Sequence, residues 1–177
     1  MRRLQRGAFK SLYRRLRVDG IFRSYRGAGL LLHQADSSSV RVLFGKRRFG
    51  PCSGSWSVPG GRGELSPGAR RLESPLQTAL RETAEEIGVC LHVDDGNLDL
   101  PKTRLIIPGV FTFITFILPY PREATAYPGH DFTRLEWFEV NALPKPLHIG
   151  VKNSVRKLDL GILPGRRARR LDGLYCQ

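Results

Sequence analysis

The sequence predicts a mixed α/β fold, and two observations carry that prediction. Short apolar runs with β-strand character recur between turn residues from position 27 to position 140, and an amphipathic helix interrupts them near position 80. A second, shorter helix is predicted at residues 148–158. At 177 residues, one domain with tails is expected. Periodicity by itself supports no finer class than this mixture.

The predicted strands begin with a hairpin. Residues 27–33 form a buried apolar run, and residues 40–44 are its expected partner across a turn at 36–39. Residues 56–58 make a short strand that ends at Pro59-Gly60-Gly61, a turn whose glycines let backbone atoms approach a ligand closely. The remaining strands are predicted at residues 105–107, 110–118 and 132–140.

The first helix has clear signals at both ends. Ser74 is the predicted N-cap, Pro75 suits the first helical position, and Gln77 completes a capping box. Gly88 is expected to end the helix as its C′ residue. The predicted buried stripe consists of Leu76, Leu80, Thr83 and Ile87.

Three glutamates lie together on another face of this helix. Glu82, Glu85 and Glu86 have the spacing i, i+3 and i+4, which places their side chains side by side. Carboxylates crowded in this way repel one another, and a hard divalent cation such as Mg²⁺ or Mn²⁺ relieves that repulsion. An ordinary solvated acidic face is the alternative. Arg81 lies one turn before Glu85 and can pair with it.

This stretch resembles the signature of the Nudix hydrolases. The signature reads Gly, five residues, Glu, seven residues, Arg-Glu-apolar-x-Glu-Glu-x-Gly-apolar. The matching residues of this chain are Glu73, Arg81, Glu82, Glu85, Glu86, Gly88 and Val89. Average residue usage gives the six fixed identities, from Glu73 to Gly88, by chance in about one in 10⁵ chains of this length. The resemblance covers residues 27–144 and implies a Nudix-type α/β/α sandwich with a mixed sheet.

The chain departs from the signature at its glycine. That glycine should precede Glu73 by six residues, where this chain has Pro67, and the better match is Gly61, twelve residues before Glu73. We therefore expect a six-residue insertion within residues 65–72. Such an insertion is tolerated because lengthening a surface loop costs little free energy. It puts the position of Glu73 in question and leaves the helix glutamates unaffected.

The resemblance implies Mg²⁺- or Mn²⁺-dependent hydrolysis of a pyrophosphate bond in a nucleoside diphosphate linked to another group. Glu82 is implied either as a metal ligand or as the general base. Arg81 is expected to orient the glutamates through ion pairs, with Glu73 in a supporting role. The implied metal ligands are the backbone carbonyl of Gly60 and the side chains of Glu82, Glu85 and Glu86.

The resemblance also suggests a further carboxylate from a later loop. Asp131 is the best candidate and Glu123 the second, although Asp131 could equally be an ordinary loop acid near Gly129. The alternative function is a Nudix-fold module that binds nucleotide or RNA without cleaving it, which the intact set of glutamates argues against. The substrate stays open among nucleoside triphosphates, dinucleoside polyphosphates, ADP-sugars and capped RNA 5′ ends, because fold analogy cannot decide it.

The net charge of +13 lies at the two ends of the chain. Residues 1–26 form a basic segment of net charge +8 with a predicted helix, residues 27–158 the expected Nudix domain, and residues 159–177 a basic tail. The ends could attract polyanions such as RNA. The helix at residues 1–17 could instead be a mitochondrial presequence, or it could pack on its own domain.

No apolar run reaches transmembrane length, and no cysteine or histidine spacing indicates a metal site. Cys52, Cys90 and Cys176 are scattered, and we expect reduced thiols in a cytoplasmic protein. The histidines are expected to be structural; they are His33, His92, His130 and His148. The oligomeric state is not predicted.

Overall fold

One seven-stranded mixed sheet carries the fold, and one helix lies on each of its faces. The structure, a computed structural model, describes residues 25–50, 52–65, 72–93, 100–108 and 111–159. The predicted helix at residues 1–17, most of the basic tail, Pro67 and Cys176 lie outside these ranges. Within them, Cys52 and Cys90 carry free thiols, and no helix is long and apolar enough to cross a membrane.

The elements follow one another along the chain in the predicted order, with one addition. The strands are β1 (Tyr25–Ala35), β2 (Val40–Arg47), β3 (Trp56–Ser57), β4 (Gly60–Arg62), β5 (Lys102–Ile107), β6 (Phe111–Pro119) and β7 (Phe132–Glu139). The helices are α1 (Pro75–Ile87) and α2 (Ile149–Asp159). The order across the sheet is β3-β2-β1-β6-β5, with β4 paired to β1 and β7 to β2. Strands β1 and β6 run parallel and the other pairs antiparallel, so the predicted mixed sheet is confirmed.

Side chains of β1 alternate between two hydrophobic cores. Leu30 and Leu32 belong to the core that also contains Ile87 of α1. Leu31, between them in sequence, belongs to the core that contains Val151 of α2. Successive strand residues point to opposite faces of a sheet, so a run that is apolar on both faces can bury both. This arrangement confirms the α/β/α sandwich.

Helix α1 begins and ends where the sequence predicts. The Ser74 side chain accepts a hydrogen bond from the Gln77 amide at 3.2 Å, and the Ser74 amide donates to Oε1 of Gln77 at 2.9 Å. Gly88 adopts a left-handed conformation, with φ 71°, and its amide donates to the Ala84 carbonyl. Within the predicted stripe, Thr83 and Ile87 are buried and the two leucines pack partly buried against the same core.

Several boundaries differ from the prediction, and two of these differences concern strands β4 and β1. Gly60 and Gly61, predicted as part of a turn, form strand β4 together with Arg62, against residues 27–29 of β1. The bare backbone of Gly29 permits this, because a Cβ atom there would lie 2.5 Å from the Pro59 carbonyl oxygen. Strand β1 starts at Tyr25, inside the segment predicted as a basic extension, because Tyr25 pairs with Phe111 in the parallel ladder.

Candidate active site

Arg81 forms ion pairs with three glutamates at the acidic face of α1. Its Nε donates to Glu73 at 2.9 Å, its Nη1 to Glu85 at 2.8 Å and its Nη2 to Glu82 at 3.1 Å. The Nη2 also donates to the Arg62 carbonyl at 3.0 Å, which ties the helix to β4. The hydrogen bond to Glu73 is the largest influence that raises the pKa of Arg81. The expected pairing with Glu85 is present, and the guanidinium fork extends it to two more carboxylates.

Glu73 keeps its place despite the insertion. Its amide donates to the Glu64 carbonyl at 2.8 Å, and its carboxylate accepts from the Glu64 amide at 3.1 Å. Next to this pair, Leu65 and Leu72 form an antiparallel bridge, so the two ends of the inserted segment lie side by side. The hydrogen bond from Arg81 lowers the pKa of Glu73, which keeps it ionised. Glu73 therefore lies beside Arg81 although the loop before it departs from the signature.

Glu86 is the most buried carboxyl of the group, with 7% of its surface exposed. Its Oε2 accepts a hydrogen bond from the Gly60 amide at 2.8 Å. Burial raises the pKa of Glu86 to about 8, and a side-chain hydrogen bond with Asp131 and the charge of Glu82 add to the rise. Three carboxyl groups thus meet at the inner end of the acidic face, where a negative charge on Glu86 is unfavourable without a cation.

Asp131 reaches Glu86 because the chain before β7 packs on the last turn of α1. The Gly129 amide donates to the Glu86 carbonyl at 2.8 Å, and a Cβ atom at Gly129 would lie 2.6 Å from that oxygen. The Asp131 carbonyl accepts from the Arg48 amide at 2.8 Å, which anchors the other side. The first-choice carboxylate of the sequence analysis therefore lies at Glu86, and Gly129 is the residue whose positioning role the sequence did not reveal.

Two glycines let strand β4 lie between β1 and the glutamates. Gly60 has φ 155°, and a Cβ atom there would lie 2.5 Å from the Ala28 carbonyl oxygen. A Cβ atom at Gly61 would lie 2.6 Å from the carboxyl carbon of Glu82. The amide of Gly60 contacts Glu86, and its carbonyl stays a predicted metal ligand. Backbone packing therefore requires glycine at position 60, whereas a Cβ atom at position 61 would displace the Glu82 carboxylate.

The donor set suits a hard divalent cation. Oxygen atoms of Glu82, Glu86 and Asp131 lie close enough for the other two acids to raise the pKa of Glu86, and Mg²⁺ and Mn²⁺ prefer oxygen donors. Within the described ranges, no three acid, histidine or cysteine side chains already form a cage. Arg81 explains this arrangement, since it draws Glu82 and Glu85 toward itself. The residues fit an ion that takes one or two carboxylates and completes its shell with water and phosphate.

Comparison with known proteins agrees with this geometry. The model of the NUDIX domain family matches residues 23–158. The chain is 27% identical over 143 residues to "Putative 8-oxo-dGTP diphosphatase 3" of Mycobacterium tuberculosis, with coverage of 76% of this chain and 61% of the relative. The chain thus spans about three fifths of the length of the curated relatives it matches.

Solved structures share the fold. The MutT NUDIX hydrolase from Burkholderia pseudomallei matches with a TM-score of 0.58 at 21% identity, over 77% of this chain and 98% of that one. The NUDIX domain of Shewanella oneidensis NrtR, complexed with ADP ribose, matches with a TM-score of 0.57 at 16% identity, over 78% and 88%. Since the family model extends from just before β1 to the last turn of α2, the protein belongs to the Nudix family.

Proposed function

We propose that this chain hydrolyses a pyrophosphate bond in a nucleoside diphosphate linked to another group, with Mg²⁺ or Mn²⁺ as cofactor. The observation that carries the proposal is the buried carboxyl of Glu86, held by the Gly60 amide with Asp131 and Glu82 beside it. A buried carboxyl with two other acids beside it is stabilised by a bound cation. Membership of the family supports the reaction class.

The chain's own residues divide into ligands and supports. Glu82, Glu85, Glu86 and the Gly60 carbonyl are the proposed ligands, and Asp131 is a further carboxylate beside Glu86. When bound, the cation neutralises charge on the phosphoryl oxygens and lowers the pKa of a bound water. Burial raises the pKa of Glu82. If Glu82 acts as the general base rather than as a metal ligand, this raised pKa suits it to accept a proton. Arg81 and Glu73 hold the ligands in position.

The names of two similar proteins suggest the order in which candidate substrates should be tested. The curated relative carries the name of an 8-oxo-dGTP diphosphatase, and the NrtR domain was crystallised with ADP ribose. We therefore place oxidised and ordinary purine nucleoside triphosphates first and ADP-ribose second. Dinucleoside polyphosphates and 5′-triphosphorylated RNA follow, since the basic ends of the chain would attract longer polyanions.

Hydrolysis by the purified full chain tests the proposal. Each compound is incubated with Mg²⁺, with Mn²⁺ or with EDTA, and the products are separated by anion-exchange chromatography. We expect metal-dependent cleavage of one compound class and none in EDTA. A folded protein that binds Mn²⁺ and nucleotide but cleaves nothing in the panel would contradict the proposal and favour the non-hydrolytic binding module.

The Arg81→Lys variant is expected to lose about 10- to 100-fold in kcat/KM, the usual cost of removing a group that orients metal ligands. An ammonium is a single point charge and cannot reach Glu73, Glu82 and Glu85 together. The apparent affinity for Mn²⁺, measured by titration, should fall with it. Arg134→Lys is the matched control, because Arg134 pairs with Glu136, away from the acidic face of α1. Equal loss in both variants would exclude a specific role for Arg81.

Asp131→Asn tests whether the loop carboxylate serves the site. We expect about a tenfold loss of activity, because the neutral amide would bring no negative charge to the cation beside Glu86. Glu123→Gln, the rival candidate, lies exposed in the same connection and should retain full activity. Activities are compared at saturating and limiting Mn²⁺. The reverse pattern would show that Glu123 supplies the further carboxylate.

A further inference from the structure

Residues 127–132 form an arm that passes the C-terminal end of α1 and leads into strand β7. The Tyr127 amide donates to the Ile87 carbonyl at 3.1 Å, and the Gly129 amide donates to the Glu86 carbonyl at 2.8 Å. The last carbonyl groups of a helix have no partner within the helix, so the arm supplies two of the donors that this helix end lacks. The arm and the last turn of α1 therefore hold each other in place.

The other end of the arm is anchored on β2 and in the core. The Arg48 amide donates to the Asp131 carbonyl at 2.8 Å, and Nη2 of Arg48 donates to the Phe132 carbonyl at 3.0 Å. The Phe132 ring is buried in the core that also contains Ile87. The Asp131 side chain, by contrast, is 51% exposed, so packing around it does not fix it. Its place beside Glu86 depends on the backbone of the arm.

The ring of Tyr127 lies against Gly88, the residue that ends α1. A Cβ atom at Gly88 would overlap two carbon atoms of this ring and would lie 2.6 Å from its hydroxyl oxygen. The left-handed conformation of Gly88, with φ 71°, is one that asparagine also adopts at helix ends. The ring contact is stricter, because it excludes every side chain. Gly88 therefore serves both the turn of the backbone and the packing of Tyr127.

Tyr127 is not a core residue. Its surface is 59% exposed, and within the described ranges it belongs to neither hydrophobic core. Its neighbours Ala124 and Ala126 do pack against the core on the α1 side. An aromatic ring this exposed contributes little through burial of apolar surface. Its contact lies at the helix end instead, two residues after Glu86, where the position of a carboxylate matters most.

We propose that Tyr127 is a positioning residue of the metal site: its ring, packed on Gly88, keeps the arm on the end of α1 so that Asp131 stays beside Glu86. Tyr127 itself touches neither the cation nor the substrate and acts through the backbone of the arm. This inference rests on the proposed function, because it takes the two carboxyl groups to serve a divalent cation. Groups that orient metal ligands in this way change metal affinity about 10- to 100-fold.

Titration of the full chain with Mn²⁺, followed by electron paramagnetic resonance in the absence of substrate, tests the positioning role. Tyr127→Ala removes the ring and should raise the Kd for Mn²⁺ about tenfold. Tyr127→Phe keeps the ring and should bind Mn²⁺ as the wild type does. Ile106→Ala is the control, because it removes an exposed apolar side chain on the edge strand β5, and it should leave the Kd unchanged.

Two double variants test the route through which the ring acts. If Tyr127 acts through Asp131, then Tyr127→Ala should change the Kd by less than about twofold in a chain that already carries Asp131→Asn. Gly88→Asn keeps the left-handed conformation but brings a side chain into the ring, so alone it should raise the Kd about tenfold. Combined with Tyr127→Ala, it should add less than about twofold. Because Gly88→Asn breaks the same contact from the helix side, the test does not depend on the folding of one variant.

Thermal melting of each variant separates positioning from stability. A lower melting temperature of Tyr127→Ala with an unchanged Kd for Mn²⁺ would show a purely structural role and overturn the proposal. Equal weakening by Tyr127→Phe, or full additivity with Asp131→Asn, would overturn it as well.

Metal binding without turnover separates this inference from the proposed function. If the wild-type chain binds Mn²⁺, Tyr127→Ala weakens that binding and no nucleotide is hydrolysed, the positioning role stands and the hydrolase proposal fails. If hydrolysis is normal and Tyr127→Ala binds Mn²⁺ as the wild type does, the positioning role fails and the hydrolase proposal stands. A folded wild-type chain that binds no Mn²⁺ would overturn both.

Discussion

The Glu86→Gln variant is expected to lose metal-dependent hydrolysis by about 10³-fold in kcat, which corresponds to several kcal/mol of lost charge stabilisation. Glutamine keeps the shape of the side chain and can still accept the 2.8 Å hydrogen bond from the Gly60 amide. What it removes is the negative charge beside Glu82 and Asp131. Product formation is measured at saturating substrate and Mn²⁺. Glu139→Gln, an exposed acid at the end of β7, is the control and should retain full activity.

When the metal is removed, the same substitution is expected to raise the stability of the protein. Burial raises the pKa of Glu86 to about 8 from 4.5, so the folded state holds a proton that the unfolded state releases. The stability that the protonated Glu86 contributes is therefore fully present below pH 4.5 and is lost as the pH rises toward 8. Glutamine does not titrate. In EDTA we expect Glu86→Gln to melt about 5 °C above the wild type at pH 8, with the difference vanishing near pH 4.5.

Equal melting curves of the two proteins across this pH range would show that Glu86 titrates normally. That result would contradict the desolvated carboxyl cluster on which the metal site is proposed. An active Glu86→Gln enzyme would contradict its role as a ligand, whatever the melting curves show.

Gly60→Ala is expected to lower the free energy of unfolding by about 3 kcal/mol, or about 6–12 °C in melting temperature. The new Cβ atom would lie 2.5 Å from the Ala28 carbonyl oxygen and 2.6 Å from the Gly29 Cα, and neither backbone atom can move without separating β4 from β1. The hydrogen bond from the Gly60 amide to Glu86 would be lost as well. Melting temperature and hydrolysis are both measured.

Substitutions at two other glycines separate the steric clash at Gly60 from backbone strain and from displacement of a carboxylate. At Gly61 the new Cβ atom would meet the Glu82 carboxylate, which is the movable end of a side chain. Gly61→Ala should therefore melt near the wild-type temperature yet lose about 10²-fold in kcat, since a displaced catalytic group is costly. Gly54 has φ 78° and no neighbour within 4 Å, so Gly54→Ala reports backbone strain alone, about 1 kcal/mol. Similar melting curves for Gly60→Ala and Gly54→Ala would contradict the steric argument.

Features that depend on neighbouring residues were predicted from the sequence. The capping box of α1, its left-handed Gly88 and the shared face of the glutamates follow from spacings of three and four residues, which an α-helix always brings together. The hairpin of β1 and β2 follows from two apolar runs and a polar turn. These patterns also carried the resemblance to the family, which the family comparison confirmed.

Local residue patterns did not predict strand β4. Pro59, Gly60 and Gly61 have strong turn preferences, so their sequence predicts a turn. The chain nevertheless pairs with β1 there, because glycines on both strands allow the backbones to approach each other. Tertiary contact therefore overrides the local preference, and it directs the Gly60 amide toward Glu86.

The sequence by itself determined the fold class, the acidic helix and the reaction class that its signature implies. The tertiary structure alone decided which distant residues meet. It placed Asp131 against Glu86, paired Leu65 with Leu72 across the insertion, and stacked Tyr25 on Phe111. Each of these contacts joins residues far apart in the chain or separated by an insertion. Their register depends on how whole strands and loops pack, which no short spacing in the sequence encodes.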